Sequence, residues 1–151
     1  MMRPILVILF AFSLFNAIGQ TEARQKQFNL SKGLALQGYD PVSYFDAKPL
    51  QGKEHLRVIR MGVIYQFATK TNLDKFKSTP DKYEPAYGGW CAYAMGETGE
   101  KVKIDPETYK IVAGRLYLFY NFWGNNTLLK WNKDEKKLKE AGDLHWKKIV
   151  Q

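Results

Sequence analysis

The chain has almost no cysteine. Cys91 is the only one in 151 residues, which excludes an internal disulfide and a zinc site built from several thiolates. The thiol lies in the stretch YGGWCAYAM, residues 87–95. A lone thiol is a buried packing residue, the partner of another molecule, or a reactive group. The question of function therefore starts at Cys91.

Familiar catalytic and metal motifs are also missing. The two histidines, His55 and His145, are far apart, and no H-x-x-H, C-x-x-C or H-E-x-x-H spacing occurs, so there is no zinc pattern. There is no G-x-S-x-G motif, phosphate-binding glycine loop or dinucleotide fingerprint. The chain carries no catalytic signature, which favours a binding protein over an enzyme. A dyad of Cys91 with either histidine stays open, because sequence does not give the distance.

Long apolar runs are absent after residue 19. The one such run, residues 5–15, follows Arg3 and precedes the small residues Ala17 and Gly19, which is the layout of a cleaved secretory leader. It is shorter than the ~20 residues that a membrane-spanning helix needs. We therefore expect a signal peptide at 1–19, export to a periplasm or to the exterior, and no membrane span after cleavage.

Acidic residues are fewer than basic ones, 15 against 23, for a net charge of +8. A basic excess favours acidic partners such as nucleic acid, anionic lipid or cell-wall polymer. The charges are spread along the chain, and an exported protein has little access to nucleic acid, so a nucleic-acid partner is not expected. No coiled-coil pattern appears, and the oligomeric state stays open.

The alternation of apolar and polar residues, together with the turn residues between such runs, predicts the strands. We expect a loosely structured polar lead-in at 20–32 and one domain at 33–151, starting with a short strand near 33–38. Two β-rich runs meet at Met61-Gly62, and two more meet at Ala113-Gly114, which predicts two hairpins.

Helical spacing supplies the other elements. Thr69 or Thr71 can cap a short helix, and the tail from Asn125 has an apolar stripe of helical period that Gly142 interrupts. We expect a long C-terminal helix that bends or breaks near Gly142. The predicted class is α+β, a small antiparallel sheet of hairpins with a short helix and a long C-terminal helix packed on it.

The residues around Cys91 allow two interpretations. Gly88 and Gly89 permit positive φ, and the following residues can begin a helix, whose first turn stabilises a thiolate. Met95 then lies on the same helix face as Cys91, and thiolate with thioether suits Cu(I). The other interpretation is a cysteine that packs as a small hydrophobic residue.

Aromatic residues are dense, at 15% of the chain. They form core or line a pocket near Cys91, in which Asp40 or Asp105 is the polar group. Each of these aspartates precedes a proline and also suits a turn. The candidate ligand contacts are Gly89, Trp90, Cys91, Tyr93 and Asp40.

A set of ordered motifs carries a family resemblance: GYDPVSYF, GVIYQFATKTNLDKF, PDKYEPAYGGWCAYAM and DPETYKIVAGRLYLFYN, followed by Trp131 and Trp146. Together they resemble the YHS domain family, and in particular its exported single-domain branch. The resemblance covers residues 38–146, although the tripeptide Tyr-His-Ser itself is absent.

The resemblance implies a small α+β domain of a kind often linked with metal-handling proteins. Metal-associated members carry two cysteines at the positions that match Ala68 and Asn72, neither of which can replace a thiolate. We expect a binding module for a metal ion such as copper, or for a small ligand, centred on Gly88-Gly89-Trp90-Cys91. The alternatives are a thiol redox protein that uses Cys91 and an interaction domain without chemistry.

Overall fold

The computed structural model describes residues 19–151, and the predicted leader lies outside them except for Gly19. No helix within the described residues is long and apolar enough to cross a membrane. The helices are α1 over 19–27, α2 (Lys70–Ser78), α3 (Pro80–Tyr83), α4 (Ala92–Glu97), α5 (Thr127–Trp131) and α6 (Glu135–Val150). Three short 3₁₀ turns cover Leu36–Gly38, Ser43–Asp46 and Ala86–Gly89.

The strands of the described residues form three small sheets. The first has the order β1-β2-β4-β3, in which β2 runs parallel to β4 and the other pairs are antiparallel. The pairs β5-β6 and β7-β8 form the other two. The bounds are β1 (Leu30–Ser31), β2 (Leu34–Ala35), β3 (Lys53–Arg60), β4 (Val63–Phe67), β5 (Asp105–Val112), β6 (Arg115–Phe119), β7 (Asn121–Phe122) and β8 (Asn125–Asn126). The α+β class is confirmed.

Each antiparallel hairpin turns at a residue followed by glycine, and both turn residues have positive φ. This is the geometry of the type I′ turn, whose twist matches that of the strands. The predicted hairpins at Met61-Gly62 and Ala113-Gly114 are confirmed. The turns are Lys32-Gly33, Met61-Gly62, Ala113-Gly114 and Trp123-Gly124.

The predicted short helix is α2, and Thr69 is its cap. The Thr69 hydroxyl accepts a hydrogen bond from the Asn72 amide at 3.1 Å, while Leu73 and Phe76 are buried on the inner face. Pro80 occupies the first turn of the next helix, α3, where its missing N–H costs nothing.

The predicted long C-terminal helix is confirmed as α6, but the expected bend or break near Gly142 is wrong. The tail contains two helices, α5 and α6, which are separated at residues 132–134, and α6 continues through Gly142. A Cβ on Gly142 would lie 2.7 Å from the Tyr87 hydroxyl oxygen. The glycine therefore makes room for an aromatic ring and does not end the helix.

The lead-in at 20–32 is not loose, because it contains α1 and β1 and is bonded to the domain. The indole nitrogen of Trp90 donates to the Gln27 carbonyl at 2.6 Å. The amide of Asn29 donates to the Gly88 carbonyl at 2.9 Å. These bonds fix α1 beside the glycine pair.

Strand β6 separates two hydrophobic clusters. Leu116 and Leu118 belong to a larger cluster, whereas Tyr117 and Phe119 belong to a smaller one. Because successive side chains of a strand point to opposite faces, β6 lies between the two clusters and contributes side chains to both. The buried rings of the larger cluster include Tyr44, Tyr65, Phe67 and Phe76, and the smaller contains Tyr87, Met95, Trp131 and Leu138.

The closest approach between helices gives a stability prediction. A Cβ on Gly96 of α4 would lie 2.4 Å from the backbone oxygen of Leu138 in α6, so Gly96→Ala forces the two backbones apart. We expect a loss of about 2 kcal/mol in urea unfolding, since overpacking costs of this kind run to a few kcal/mol. The exposed Lys136→Ala in α6 serves as the control and stays within about 0.5 kcal/mol of wild type. A Gly96→Ala protein as stable as wild type would contradict the packing of these helices.

Candidate functional site

Cys91 lies immediately before α4 and is fully buried. Its sulfur lies 3.4 Å from the Thr127 hydroxyl and accepts the Tyr120 backbone N–H at 3.4 Å. Its own amide donates to the Val102 carbonyl at 2.9 Å. This is the environment of a cysteine that packs in the core and holds neighbouring segments together.

The side chains near Cys91 do not fit a copper ion. Met95 is fully buried as well, but it packs in the smaller cluster while Cys91 packs in the larger one. No group of three or more His, Cys, Asp or Glu side chains within residues 19–151 is arranged to hold a metal. A soft ion would find one thiol, already hydrogen-bonded, where it needs several sulfur or nitrogen ligands.

Asp40 is a structural carboxylate. It is fully buried, and one oxygen accepts the amides of Val42 at 2.9 Å and Ser43 at 3.4 Å. The other accepts the Ala68 amide at 2.9 Å and the Asn72 side-chain amide at 2.7 Å. Four N–H groups thus converge on one carboxylate, which joins the Asp-Pro turn to the end of β4 and the start of α2.

This carboxylate accounts for Asn72. The family resemblance implies metal-binding cysteines at the positions of Ala68 and Asn72, yet here the Asn72 side chain donates to an oxygen of Asp40. Ala68 donates to the same oxygen through its backbone amide, which any residue except proline would supply.

Of the remaining polar candidates, Asp105 and His145 are engaged within the fold and His55 is exposed. Asp105 accepts the Glu107 amide and the Thr108 hydroxyl, as expected of a turn. His55 is exposed on β3, and Nδ1 of His145 lies 2.7 Å from the Met95 carbonyl. The hydrogen-bond partners of the Cys91 sulfur are Thr127 and Tyr120, not a histidine.

The glycine pair has the positive φ that the sequence predicts. Gly88 and Gly89 have φ of 60° and 85°, and the preceding Tyr87 is also left-handed at 55°. A Cβ on Gly88 would lie 2.9 Å from the Trp146 ring and 3.1 Å from the Phe28 backbone. Gly88 is thus the point at which the end of α1 and the end of α6 meet.

An open cleft of about 690 Å³ lies beside Gly88, between α1 and the C-terminal end of α6. Its apolar wall is formed by Phe28, Met61, Trp146 and Ile149. Its charged wall is formed by Arg24, Arg115, Asp81 and Glu84. The cleft therefore has an apolar wall and a charged wall that carries groups of both signs.

Arg24 is held firmly in the cleft wall. Its guanidinium forms an ion pair with Glu84 and stacks on the Phe28 ring at 4.2 Å. Glu84 also pairs with Arg60 at 2.7 Å and accepts the Tyr65 hydroxyl at 2.7 Å. The Nε of Arg24 is buried and has no hydrogen-bond partner among the described residues, so one donor of this side chain is unused.

Arg115, on the other side of the cleft, is likewise held by an ion pair and by an aromatic ring. It pairs with Asp143 at 2.7 Å and lies 5.1 Å from the centre of the Tyr87 ring. The Tyr87 hydroxyl lies 3.1 Å from the same Asp143 oxygen. Burial, and then the charge of Asp143, raise the pKa of Tyr87 above its ordinary value, so the phenol stays neutral and donates.

The cleft is not lined by any of the predicted ligand contacts, which were Gly89, Trp90, Cys91, Tyr93 and Asp40. Gly88, directly before them in the chain, does line it. Trp90 bonds to the lead-in, and Tyr93 lies under the Lys130 ammonium at 5.8 Å.

Sequence reasoning missed the cleft because it treated the lead-in as loose. The contacts from α1 recur at three- and four-residue steps, which is the period of a helix face. Of these contacts only Ala23 and Phe28 are apolar, so no apolar period marked the helix in the sequence. The missed residues are Gln20, Ala23, Arg24, Gln27, Phe28, Arg115, Trp146 and Ile149.

Comparisons of the chain with protein-family models, with curated proteins and with solved structures found no match. The resemblance of the motifs to the YHS domain family stays a prediction.

The burial of Cys91 predicts that its thiol does not react in the folded protein. We expect a maleimide reagent to label the native protein no faster than the domain opens, and to label it quickly in guanidinium, because a reagent must reach the sulfur. Mass spectrometry at timed intervals measures the labelling. Rapid native labelling would show that the sulfur is accessible.

The four bonds to Asp40 predict that Asp40→Asn is strongly destabilising. An asparagine turns an NH₂ group toward one pair of donors and leaves buried N–H groups unpaired, which costs about 3 kcal/mol. Asp74→Asn is the control, since Asp74 is exposed in an i,i+4 pair with Lys70 and such pairs contribute about 0.4 kcal/mol. Urea unfolding compares the two, and equal small losses would contradict the assigned role of Asp40.

Proposed function

We propose that the protein is a binding module for a small amphiphilic molecule, which occupies the cleft between α1 and the end of α6. The cleft volume of about 690 Å³ carries the proposal, because small-molecule sites are concave, largely apolar and about 300–1,000 Å³ in volume. Export, which the leader pattern supports, is part of the same proposal.

The lining indicates the chemistry of the ligand. Phe28, Trp146 and Ile149 offer an apolar and aromatic surface to its body. Arg115 is 41% exposed despite its ion pair, so its guanidinium N–H groups are open to a ligand, whereas the unpaired Nε of Arg24 is buried. A head group that accepts hydrogen bonds, such as a carboxylate or sulfonate, suits these donors. Asp81 and Glu84 disfavour a head with a large negative charge.

The other functions predicted for the Cys91 segment have less support. A thiol redox role needs a sulfur that a partner can reach, and Cys91 is fully buried. A copper site needs further ligands, and the sulfur already has Thr127 and Tyr120 as partners. Ligand binding at Gly88 needs no change in these contacts.

The test is binding of anilinonaphthalene sulfonate, an aromatic anion whose fluorescence rises in apolar sites. We expect saturable binding to the folded wild type. Ala23→Trp fills the cleft from α1 and abolishes binding, whereas Lys26→Trp adds the same ring to an exposed position of α1 outside the cleft lining and leaves binding unchanged. Arg115→Met weakens binding about tenfold through the loss of a charged hydrogen bond, which contributes roughly 1.5–3 kcal/mol.

Circular dichroism first establishes that each variant is folded. Absence of saturable binding to wild type, or equal binding to Ala23→Trp and Lys26→Trp, would show that the cleft is not the site.

A further inference from the structure

Trp123 occupies the tip of the β7-β8 hairpin and is 94% exposed. Its φ of 50° is left-handed, a conformation that a bulky residue rarely adopts. Asparagine, aspartate or glycine is the usual residue at this place of a type I′ turn. Trp123 thus adopts an unfavourable backbone conformation, and its indole packs against little of the rest of the protein. This combination indicates a role in binding rather than in folding.

Further apolar side chains are exposed around the tip. Phe122 is 40% exposed and Leu129, in the adjoining α5, is 62% exposed. The ring of Phe122 contacts both Tyr120 at 5.1 Å and Trp123 at 6.0 Å between centres. These side chains and Trp123 form what we term the aromatic tip: Tyr120, Phe122, Trp123 and Leu129.

The aromatic tip is fixed to the core. The Thr127 amide and hydroxyl both donate to the Tyr120 carbonyl at 2.9 Å, and the Tyr120 amide donates to the Cys91 sulfur. The Asn126 side chain caps α5 through the Leu128 amide at 3.0 Å. The hairpin is therefore held in place and does not need to be ordered when it binds.

The segment that carries the tip and α5 is basic. Residues 120–133 include Lys130 and Lys133, both exposed, and no aspartate or glutamate, and the exposed Asp134 follows directly. The whole chain carries +8. A partner that meets the tip therefore meets apolar rings with positive charge beside them.

We propose that the aromatic tip docks the protein on an anionic lipid bilayer, with Trp123 at the headgroup level and Lys130 and Lys133 on anionic headgroups. Tryptophan prefers the membrane–water interface because its ring is apolar and its N–H is polar. Each basic residue near an anionic surface adds attraction that salt screens. A protein partner fits less well, since a stable interface takes about 20–30 residues on each side and the aromatic tip has four.

The test is cosedimentation with lipid vesicles. It uses the chain that begins at Gln20, the form predicted after leader cleavage, because the apolar run at 5–15 would itself bind lipid. Both hydrophobic clusters are built from residues 28–149, so this chain retains the core. We expect binding to phosphatidylcholine vesicles that contain phosphatidylglycerol, weaker binding at high salt, and little binding to phosphatidylcholine alone.

Variants assign the binding to the tip. Trp123→Asn suits the left-handed turn, so it keeps the fold, and it lowers the affinity for anionic vesicles about tenfold through lost apolar burial. Ile59→Ala, at a residue that is 66% exposed on β3, is the matched control and leaves binding unchanged. Reversal of both Lys130 and Lys133 to glutamate also lowers binding to anionic vesicles.

Tryptophan emission gives an independent measurement. The difference between the spectra of wild type and Trp123→Phe shifts to shorter wavelength when vesicles are added. Absence of binding to anionic vesicles, or equal binding by wild type and Trp123→Asn, would overturn the proposal. Equal binding to neutral and to anionic vesicles would overturn the electrostatic part of the proposal, which is the contact of Lys130 and Lys133 with anionic headgroups. These outcomes are independent of the cleft, because Trp123 does not line it.

Discussion

Burial of β6 on both faces is the constraint on which the rest of the structure depends. Leu116 and Leu118 face one cluster, and Tyr117 and Phe119 face the other. A strand with such a pattern has no solvated face and must be covered from two sides. The segment before α4 then lies along its edge, where Cys91 pairs with Leu118 in a parallel bridge. Arg115 at the start of β6 reaches the cleft, and Tyr120, directly after its end, supports the aromatic tip. Both proposed binding surfaces are therefore attached to one strand.

The cleft exists because glycines permit close approach at the joints around it. Gly88 allows α1 and α6 to meet, Gly142 admits the Tyr87 ring, and Gly96 brings α4 onto the backbone of α6. Side chains at these positions would separate the elements and change the spacing of the cleft walls. Ion pairs on opposite sides, Arg24 with Glu84 and Arg115 with Asp143, then hold the two arginines in fixed directions. Such preorganisation lowers the entropic cost of binding a ligand.

Turn residues and a helix-capping residue made part of this structure predictable from the sequence. The hairpins at Met61-Gly62 and Ala113-Gly114 follow from turn residues between β-rich runs, and the Thr69 cap follows from its hydroxyl. Strands β1, β2, β7 and β8 have two residues each, too few for an alternating pattern to be visible. The gap between α5 and α6 contains no glycine or proline, so no breaker residue indicated it.

The site was less predictable, because Arg24, Arg115 and Trp146 come together only through tertiary packing. Two of the four donors on Asp40 were hidden for the same reason, because Ala68 and Asn72 lie about 30 positions further along the chain.

The enclosed sulfur of Cys91 has a consequence in any oxidising environment that the protein meets. In an oxidising compartment, an accessible single thiol forms mixed disulfides with other chains and with small thiols. The Tyr120 amide and the Thr127 hydroxyl cover this sulfur, so the folded protein has nothing to exchange. Only the unfolded chain exposes the thiol, and docking of the Cys91 segment onto β6 encloses it. The fold thereby keeps the single thiol of this chain free under oxidising conditions.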